Sequence, residues 1–256
     1  MFDRHRFFSM AALVAAAILP SLGGPTAAAD DDPRDLLRRV LDQGAPKPTE
    51  AIIRISSGGG QAREIELRRK RGGGTDHIRI DVVSPYNYKG ISYLFLETAG
   101  QHDHYSFLPA LRRTMRISAD ALNQPFLATE FYVADMIPPN LDANTYRFAG
   151  EEEVAGRKCR LVESVPKSAG NALYGKTILA IDPTDLIVVR TQFFDVDLKP
   201  LKVWAAQKVE TVDGVLTALD QSMTTADGDE WRLEITKIQY GADLNDIDFS
   251  PSGLGS

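Results

Sequence analysis

The sequence is poor in residues that build disulfide scaffolds and nucleophilic sites: its 256 residues include one cysteine and four histidines. A single cysteine cannot pair within the chain, which excludes a disulfide scaffold. Cys159 alternates with charged neighbours in the segment KCRLV, and the local sequence offers it no histidine partner. We therefore expect Cys159 to be a packed strand residue and not a nucleophile.

Basic charge is also in short supply, with 29 Lys and Arg against 35 Asp and Glu and a formal net charge of -6. A general nucleic-acid binder needs a net basic surface, so this balance argues against nucleic acid as a partner. The 43% hydrophobic content and the recurring aromatics are ordinary for a globular chain and exclude intrinsic disorder. The length suits one large domain or two small ones.

We find no motif for catalysis or cofactor binding in the structural context that such a motif needs. We find no G-x-S-x-G, no H-E-x-x-H and no G-x-G-x-x-G between a strand and a helix, and we expect no Walker loop. The glycine triplets 58–60 and 72–74 precede strand-like segments and are interpreted as turns. His102 and His104 would face one way on a strand, but only the distant His77 could add a ligand, so we predict no metal site. We expect neither catalytic residues nor a cofactor.

The first 29 residues have the composition of a secretory signal peptide. A short basic start is followed by the almost wholly apolar run 7–19, and Ala27 and Ala29 form an A-x-A cleavage pattern. The alternative is a membrane anchor, but the apolar run falls short of the roughly 20 residues that a spanning helix needs. We expect export, with the periplasm as the location, and a single mature domain over residues 30–256.

The mature chain combines one helix with a long series of strands. Leu36, Leu37, Val40 and Leu41 form an apolar stripe that predicts a helix over Asp30–Gln43, with one face that needs a partner. From residue 51 onward, apolar and polar residues alternate with period two in about a dozen segments joined by short turns. This pattern predicts a mainly β (α+β) fold in which an antiparallel sheet curls towards a barrel, with the helix and the segment Ser118–Met136 covering its interior.

Aromatic and sulfur-containing side chains recur along the strand segments and the covering segment. A curled sheet of this size encloses more volume than its side chains must fill, which allows a cavity for apolar ligands. The alternative is that each of these residues is ordinary core. The side chains that we predict to line a hydrophobic cavity are Tyr93, Phe95, Tyr105, Phe107, Met115, Phe131, Phe193, Trp204 and Trp231.

Three segments carry a resemblance to a known family. YSFLPALRRTMRIS at residues 105–118 resembles the YLPALxRxRRI segment of LolA-like outer-membrane lipoprotein-sorting proteins, in their extended branch. FLATEFYVADM at residues 126–136 resembles that family's FxGSDFxYEDL, with Ala-Thr-Glu-Phe replacing Gly-Ser-Asp-Phe. GEEEVAGRKC at residues 150–159 resembles its GEExVxGxxC turn. The resemblance implies an unclosed antiparallel β-barrel with a helical lid, which holds acyl chains and works beside an inner-membrane exporter.

A basic cluster stands out in this acidic chain. Arg113 and Arg116 are three residues apart, which places them on opposite faces of a strand, while Arg112 and Arg116 would share a face. The functional interpretation is contact with an anionic headgroup or a membrane partner. The alternative is an ordinary solvated turn with surface arginines.

Together these observations predict a non-enzymatic periplasmic carrier for acyl chains of lipids or lipoproteins, moving them towards the outer membrane. The physical basis is that an acyl chain costs about 0.8 kcal/mol per exposed CH₂ group, so transit through water requires an apolar enclosure. One alternative is an RseB-like envelope sensor or adaptor with the same fold. Another is a hydrolase of envelope material, which the missing nucleophile constellation disfavours.

Overall fold

The structure is a computed structural model, and it describes residues 32–44, 46–98, 100–168, 170 and 172–255. The predicted signal peptide lies outside the described residues and stays a prediction. The described residues from 32 onward form one compact unit. No helix within the described ranges is long and apolar enough to cross a membrane.

A single antiparallel sheet dominates the part of the chain that the structure describes, where it contains thirteen strands. Short turns, many with glycine at positive φ, join most neighbouring strands. The strands are β1 (Thr49–Ser57), β2 (Arg63–Gly72), β3 (Thr75–Ser84), β4 (Ser92–Thr98), β5 (Gln101–Leu108), β6 (Arg113–Arg116), β7 (Asn144–Val154), β8 (Arg157–Pro166), β9 (Lys176–Asp182), β10 (Ile187–Phe194), β11 (Pro200–Val212), β12 (Val215–Thr225) and β13 (Glu230–Tyr240).

The strand order is β6-β5-β4-β3-β2-β1-β13-β12-β11-β10-β9-β8-β7. The first and last strands of the sequence therefore pair at the centre of the sheet, where Ile55 opposes Leu233. The two edges are β6 and β7, which are consecutive in the chain and do not pair with each other. The sheet is unclosed, as predicted, and residues 117–143 connect its two edges.

These connecting residues, here called the lid, are mostly irregular. They contain the short helix α2 (Ala119–Leu122) and the 3₁₀ turns Phe126–Ala128 and Val133–Met136. The Ser118 side chain accepts a hydrogen bond from the amide of Ala121 and caps α2. The prediction of an irregular or helical covering segment is confirmed.

The N-terminal helix, labelled α1 (Pro33–Gly44), starts three residues later than predicted and ends one residue later. Asp32 Oδ1 accepts a hydrogen bond of 3.0 Å from the amide of Arg34, which caps the helix. Leu36 and Leu37 of the predicted stripe are buried against Val162 and Ile181 of the sheet. The apolar face of α1 thus finds the partner that its amphipathic pattern required.

The main core lies on the concave face of the sheet. Ile55, Ile65, Ile80 and Phe95 are essentially inaccessible there, and lid side chains pack onto them. A second, smaller cluster lies on the opposite face of β4 and β5, where Phe249 and Leu254 of the C-terminal segment cover Leu94. Cys159 is buried in β8 beside Ala180 and Val189, as expected of a packed residue.

Candidate functional site

An apolar cavity lies between the concave face of the sheet, α1 and the lid. It comprises two adjoining volumes of about 560 Å³ and 490 Å³. Volumes of this size fall in the range of small-molecule and lipid sites. Eight residues bound both volumes: Val40, Leu41, Asp135, Met136, Ile137, Val188, Trp204 and Gln221.

Several polar atoms in the cavity wall are used by internal hydrogen bonds, whereas the buried hydroxyl of Tyr146 has no partner among the described residues. Trp204 Nε1 donates to Gln221 Oε1 at 3.0 Å, and Gln221 Nε2 donates to the carbonyl of Ala218 at 2.9 Å. Thr217 Oγ1 and the Tyr240 hydroxyl lie 2.7 Å apart within hydrogen-bond distance. What the wall presents to a ligand is therefore mainly hydrocarbon, which suits an acyl chain better than a polar substrate.

The lid is attached to the sheet first by apolar burial. Phe126, Leu127, Phe131 and Val133 are buried in the concave core, and the Phe126 ring lies 5.3 Å from the ring of Tyr93. Each such side chain contributes about 1.5–3 kcal/mol relative to exposure. Opening the lid exposes these groups, so an apolar ligand that replaces their contacts lowers the cost of opening.

Arg63 of β2 provides a first polar attachment at the lid. Its Nε donates to the carbonyl of Leu127 at 3.1 Å and its Nη2 to the carbonyl of Ala128 at 3.0 Å. The guanidinium also lies over the ring of Trp231, 5.0 Å from its centroid. Leu127 and Ala128 have φ angles of 52° and 54°, a left-handed conformation that costs roughly 1–2 kcal/mol per non-glycine residue. The contacts of Arg63 help to hold this strained turn.

Lys202 of β11 provides a second attachment on the other side of the lid. Its side chain is 2% exposed, and Nζ donates to the carbonyl of Glu130 at 2.7 Å and to Asp135 Oδ2 at 2.8 Å. Nζ also lies 4.2 Å from the centroid of the Tyr132 ring. Burial lowers the pKa of Lys202, against the opposing effect of Asp135. Asp135 and Glu130 are lid residues, so this pair fastens the lid to the sheet.

Asp135 is held from three directions. Besides Lys202, the Tyr174 hydroxyl donates to its Oδ1 at 2.7 Å, and the amide of Tyr132 donates to its Oδ2 at 2.9 Å. Burial and the neighbouring carboxylate raise the pKa of Tyr174, so its phenol stays protonated and a donor. Since Asp135 borders the cavity, its charge is neutralised at the point where the wall would otherwise be charged.

Three of the predicted cavity residues, Phe131, Phe193 and Trp204, line the cavity. Another three, Tyr93, Phe95 and Trp231, lie on the same concave face but pack in the core cluster beneath the lid. Phe95 is completely buried, so it fills space and presents no surface to a ligand.

Tyr105 and Phe107 lie on the opposite face, which corrects the expectation that they line the cavity. In β5 they oppose Leu94 and Ser92, while the intervening Ser106 opposes Tyr93 on the concave face. They pack in the cluster covered by the C-terminal segment. Aromatic and polar side chains alternate along β5 as predicted, but the face that carries Tyr105 and Phe107 points away from the cavity. Successive residues of a strand lie on opposite faces, so an error of one residue in the assignment exchanges the two faces.

Met115 opposes Ser106 in edge strand β6 and shares the concave face, but it lies outside the cavity wall. Arg113 and Arg116 lie on opposite faces of β6, as predicted, and Arg116 forms an ion pair with Asp103. Arg112 precedes β6 in a left-handed turn with φ of 46°, so it does not share a strand face with Arg116 as expected.

His102 and His104 both contact Glu97, with His104 Nε2 2.6 Å from Glu97 Oε1. Burial would raise the pKa of Glu97, but the hydrogen bonds to the two imidazoles lower it below the ordinary value. Within the described ranges no group of three or more His, Cys, Asp or Glu side chains is arranged to hold a metal ion.

Residues 170–177, GNALYGKT, match the G-x-x-x-x-G-K-T spacing of a Walker loop, so the expectation that the sequence contains no such spacing is wrong. The surrounding structure differs from that motif, in which a helix follows the loop. Here Lys176 and Thr177 begin strand β9. Lys176 Nζ lies 3.4 Å from Glu163 Oε2 and over the Phe194 ring, so it is not directed at a phosphate cradle.

Sequence reasoning missed the polar residues that fasten the lid: Arg63, Asp135, Tyr174 and Lys202. The available signal was weak. Lys202 interrupts the otherwise apolar run of LKVWAA, and such a cation on a buried strand generally needs a partner. Its partner, however, lies 67 residues away in the chain and only the fold brings the two together.

Comparisons with known proteins give a consistent picture of the fold. A family model described as "Uncharacterized protein" matches residues 74–256. A comparison with curated protein sequences found no match.

Solved structures with similar folds include a putative outer membrane lipoprotein-sorting protein domain from Vibrio parahaemolyticus, with 19% identity, a TM-score of 0.80, and coverage of 87% of this chain and 98% of that chain. A DUF1329 family protein from Desulfovibrio piger has 24% identity and a TM-score of 0.78, with 87% and 97% covered. A LolA superfamily protein from Nitrosomonas europaea has 16% identity and a TM-score of 0.67, with 88% and 100% covered. The unclosed barrel described above is thus the LolA-like fold.

Proposed function

The chain belongs to the family whose model spans residues 74–256, and from this and its LolA-like fold we propose that it is a non-enzymatic carrier of acyl chains in the periplasm. The single observation that carries the proposal is the apolar cavity beneath a lid that is fastened by a few polar contacts. Such an arrangement encloses a hydrocarbon chain and still allows its release.

The energetics favour a hydrocarbon ligand. Sixteen methylene groups removed from water gain about 13 kcal/mol, at about 0.8 kcal/mol each. Only part of this is available for affinity, because binding must displace buried lid side chains and order the ligand. A cavity with adaptable Met136 and aromatic Trp204 and Phe193 in its wall fits chains of different lengths without directional bonds.

The kind of cargo is suggested by the comparisons. The similar protein from Vibrio parahaemolyticus carries the description of an outer membrane lipoprotein-sorting protein domain. This supports lipid or lipoprotein acyl chains as cargo for the present chain, delivered towards the outer membrane. We also propose an inner-membrane exporter as the donor. The predicted signal peptide supports the periplasm as the place of transfer.

The experiment is to purify the protein from the periplasm of expressing cells, identify co-purified lipids by native mass spectrometry, and measure binding of a fluorescent fatty acid. Val188 borders both cavity volumes, so Val188→Asp should lower probe affinity at least tenfold. The matched control is Val196→Asp, because Val196 is exposed in the β10–β11 turn. If no lipid co-purifies and the probe fails to bind, the carrier function is wrong.

A further inference from the structure

Large apolar side chains that are exposed to solvent concentrate at one end of the sheet. Among the described residues the exposed large apolar side chains are Val83, Tyr86, Leu111, Val196, Leu198 and Ile247. All but Ile247 lie in, or next to, the β3–β4, β5–β6 and β10–β11 turns. Because β3, β5 and β10 run in the same direction in the antiparallel order, these three turns lie at the same end.

The attached part of the lid lies at this end too. Arg63 is the first residue of β2, and Lys202 is the third residue of β11, and both strands start where β3 and β10 finish. The carbonyls that Arg63 and Lys202 bind belong to lid residues 127, 128 and 130. The exposed apolar residues therefore flank the end at which Arg63 and Lys202 hold the lid.

The β3–β4 and β5–β6 turns form one exposed surface, here called the basic tip: Tyr86, Lys89, Leu111, Arg112 and Arg113. The two turns touch, since a Cβ on Gly90 would lie 3.1 Å from Pro109 Cγ. Tyr86 is 94% exposed and Leu111 is 62% exposed, and the three basic residues are exposed as well.

The charge of the basic tip is not neutralised locally. In the described part of the chain no carboxylate lies within ion-pair distance of Lys89, Arg112 or Arg113, whereas Arg116 pairs with Asp103. This is unusual in a chain with a formal charge of -6. In the β10–β11 turn, by contrast, Lys199 lies 3.8 Å from Asp197, and Asp195 leaves this turn with a formal charge of -1.

We infer that the basic tip docks the protein on an anionic lipid bilayer, with Tyr86 and Leu111 entering the interface and Lys89, Arg112 and Arg113 contacting lipid phosphates. Tyrosine is favoured at the boundary between headgroups and hydrocarbon, and leucine gains by leaving water. Each basic side chain near an anionic leaflet raises the membrane binding constant about fivefold.

A small surface made of two turns fits a fluid bilayer better than a folded partner. A stable protein interface buries about 800 Å² on each side, which requires a broad complementary surface, while two narrow turns can enter headgroups without one. Docking through the basic tip would bring the β3–β6 side of this end to the membrane and keep the acidic β10–β11 and β12–β13 turns away from it. The docking inference does not rest on the proposed carrier function.

The test is flotation of the purified protein with vesicles of phosphatidylethanolamine and phosphatidylglycerol (3:1), compared with phosphatidylcholine vesicles. The protein should float with the anionic vesicles, and added salt should weaken the binding. Tyr86→Ser/Leu111→Ser should reduce partitioning at least tenfold. Arg112→Gln/Arg113→Gln should reduce it about thirtyfold, at about fivefold per basic side chain.

Two matched controls should bind like the unmodified protein. Ile247→Ser removes an equally exposed apolar side chain away from the tip, and Lys158→Gln/Lys237→Gln removes two exposed cations from other parts of the sheet. If the protein does not float with anionic vesicles, or if tip variants float as well as the controls, the docking inference is wrong. Binding of the fatty-acid probe in solution is measured in parallel, so loss of cavity function is distinguished from loss of docking.

Discussion

Lys202 and Asp135 form an ion pair, Nζ to Oδ2 at 2.8 Å, in which the lysine side chain is 2% exposed and the aspartate side chain 12% exposed. One partner belongs to a central part of the sheet and the other to the lid. A buried pair of this kind adds little net stability over an apolar pair, but removing one partner leaves a buried charge uncompensated.

The first prediction concerns this pair. Lys202→Met should lower the free energy of unfolding by about 3–5 kcal/mol, because Asp135 then remains charged without its cation. Lys202→Met/Asp135→Asn should recover part of that loss. Urea denaturation of the single and double variants measures both effects. Strictly additive single losses would contradict direct coupling between the two residues.

The second prediction concerns the attachment by Arg63. Arg63→Leu should release the lid carbonyls of residues 127 and 128, and cost about 2 kcal/mol of local opening free energy, since hydrogen bonds to charged groups contribute about 1.5–3 kcal/mol. Hydrogen exchange of the lid amides should accelerate. Arg232→Gln is the control, because Arg232 pairs with Asp220 between β12 and β13 and leaves the lid contacts intact. Equal exchange in the two variants would contradict the attachment.

The third prediction concerns backbone strain in the lid. Ala128 is exposed and has a φ of 54°. Ala128→Gly should therefore relieve backbone strain and raise the free energy of unfolding by about 0.5 kcal/mol or more. Ala128→Val should instead be destabilising by about 1–2 kcal/mol, since a β-branched residue tolerates this conformation poorly. Thermal unfolding of both variants gives the comparison, and a destabilised glycine variant would argue against strain at this position.

The fourth prediction concerns acid stability. Burial would raise the pKa of Asp182, but hydrogen bonds from Arg157 and from the amides of Thr184 and Asp185 lower it below its ordinary value. A carboxyl with a lowered folded-state pKa stabilises the fold above its unfolded pKa of about 3.9, and this stability is lost as pH falls through the folded pKa. Asp182→Asn should be less stable at pH 6 but should lose less stability on acidification from pH 5 to pH 2. Parallel stability curves would contradict this.

Much of the fold was accessible from local pattern. Period-two alternation located the strand segments, and glycine-containing turns separated them, because both signals arise from neighbours in the chain. The faces were harder to assign. Tyr93 and Tyr105 are each followed two residues later by a phenylalanine, yet one faces the concave core and the other the C-terminal segment, and nothing near either residue specifies which side will be covered.

The candidate site was less predictable than the fold. Phe131, Phe193 and Trp204 were found because large apolar residues on strands and lids must be buried somewhere. Arg63 and Lys202 were not found, since a cation in a strand ordinarily indicates a solvated face. Their role depends on lid carbonyls and a carboxylate that the tertiary structure brings from more than 60 residues away.

The pairing of β1 with β13 has a consequence for how the molecule is assembled. It is a seam between two meanders, residues 49–116 and 144–240, each built from contacts between successive strands. Pairing of β1 with β13 brings Thr49 against Tyr240. Because these two strands are the farthest apart in sequence of any paired strands in the sheet, their pairing has the highest entropic cost of loop closure. During synthesis, β1 therefore keeps a bare hydrogen-bonding edge until β13 has been made, and this edge is where an incomplete chain is most open to wrong pairing.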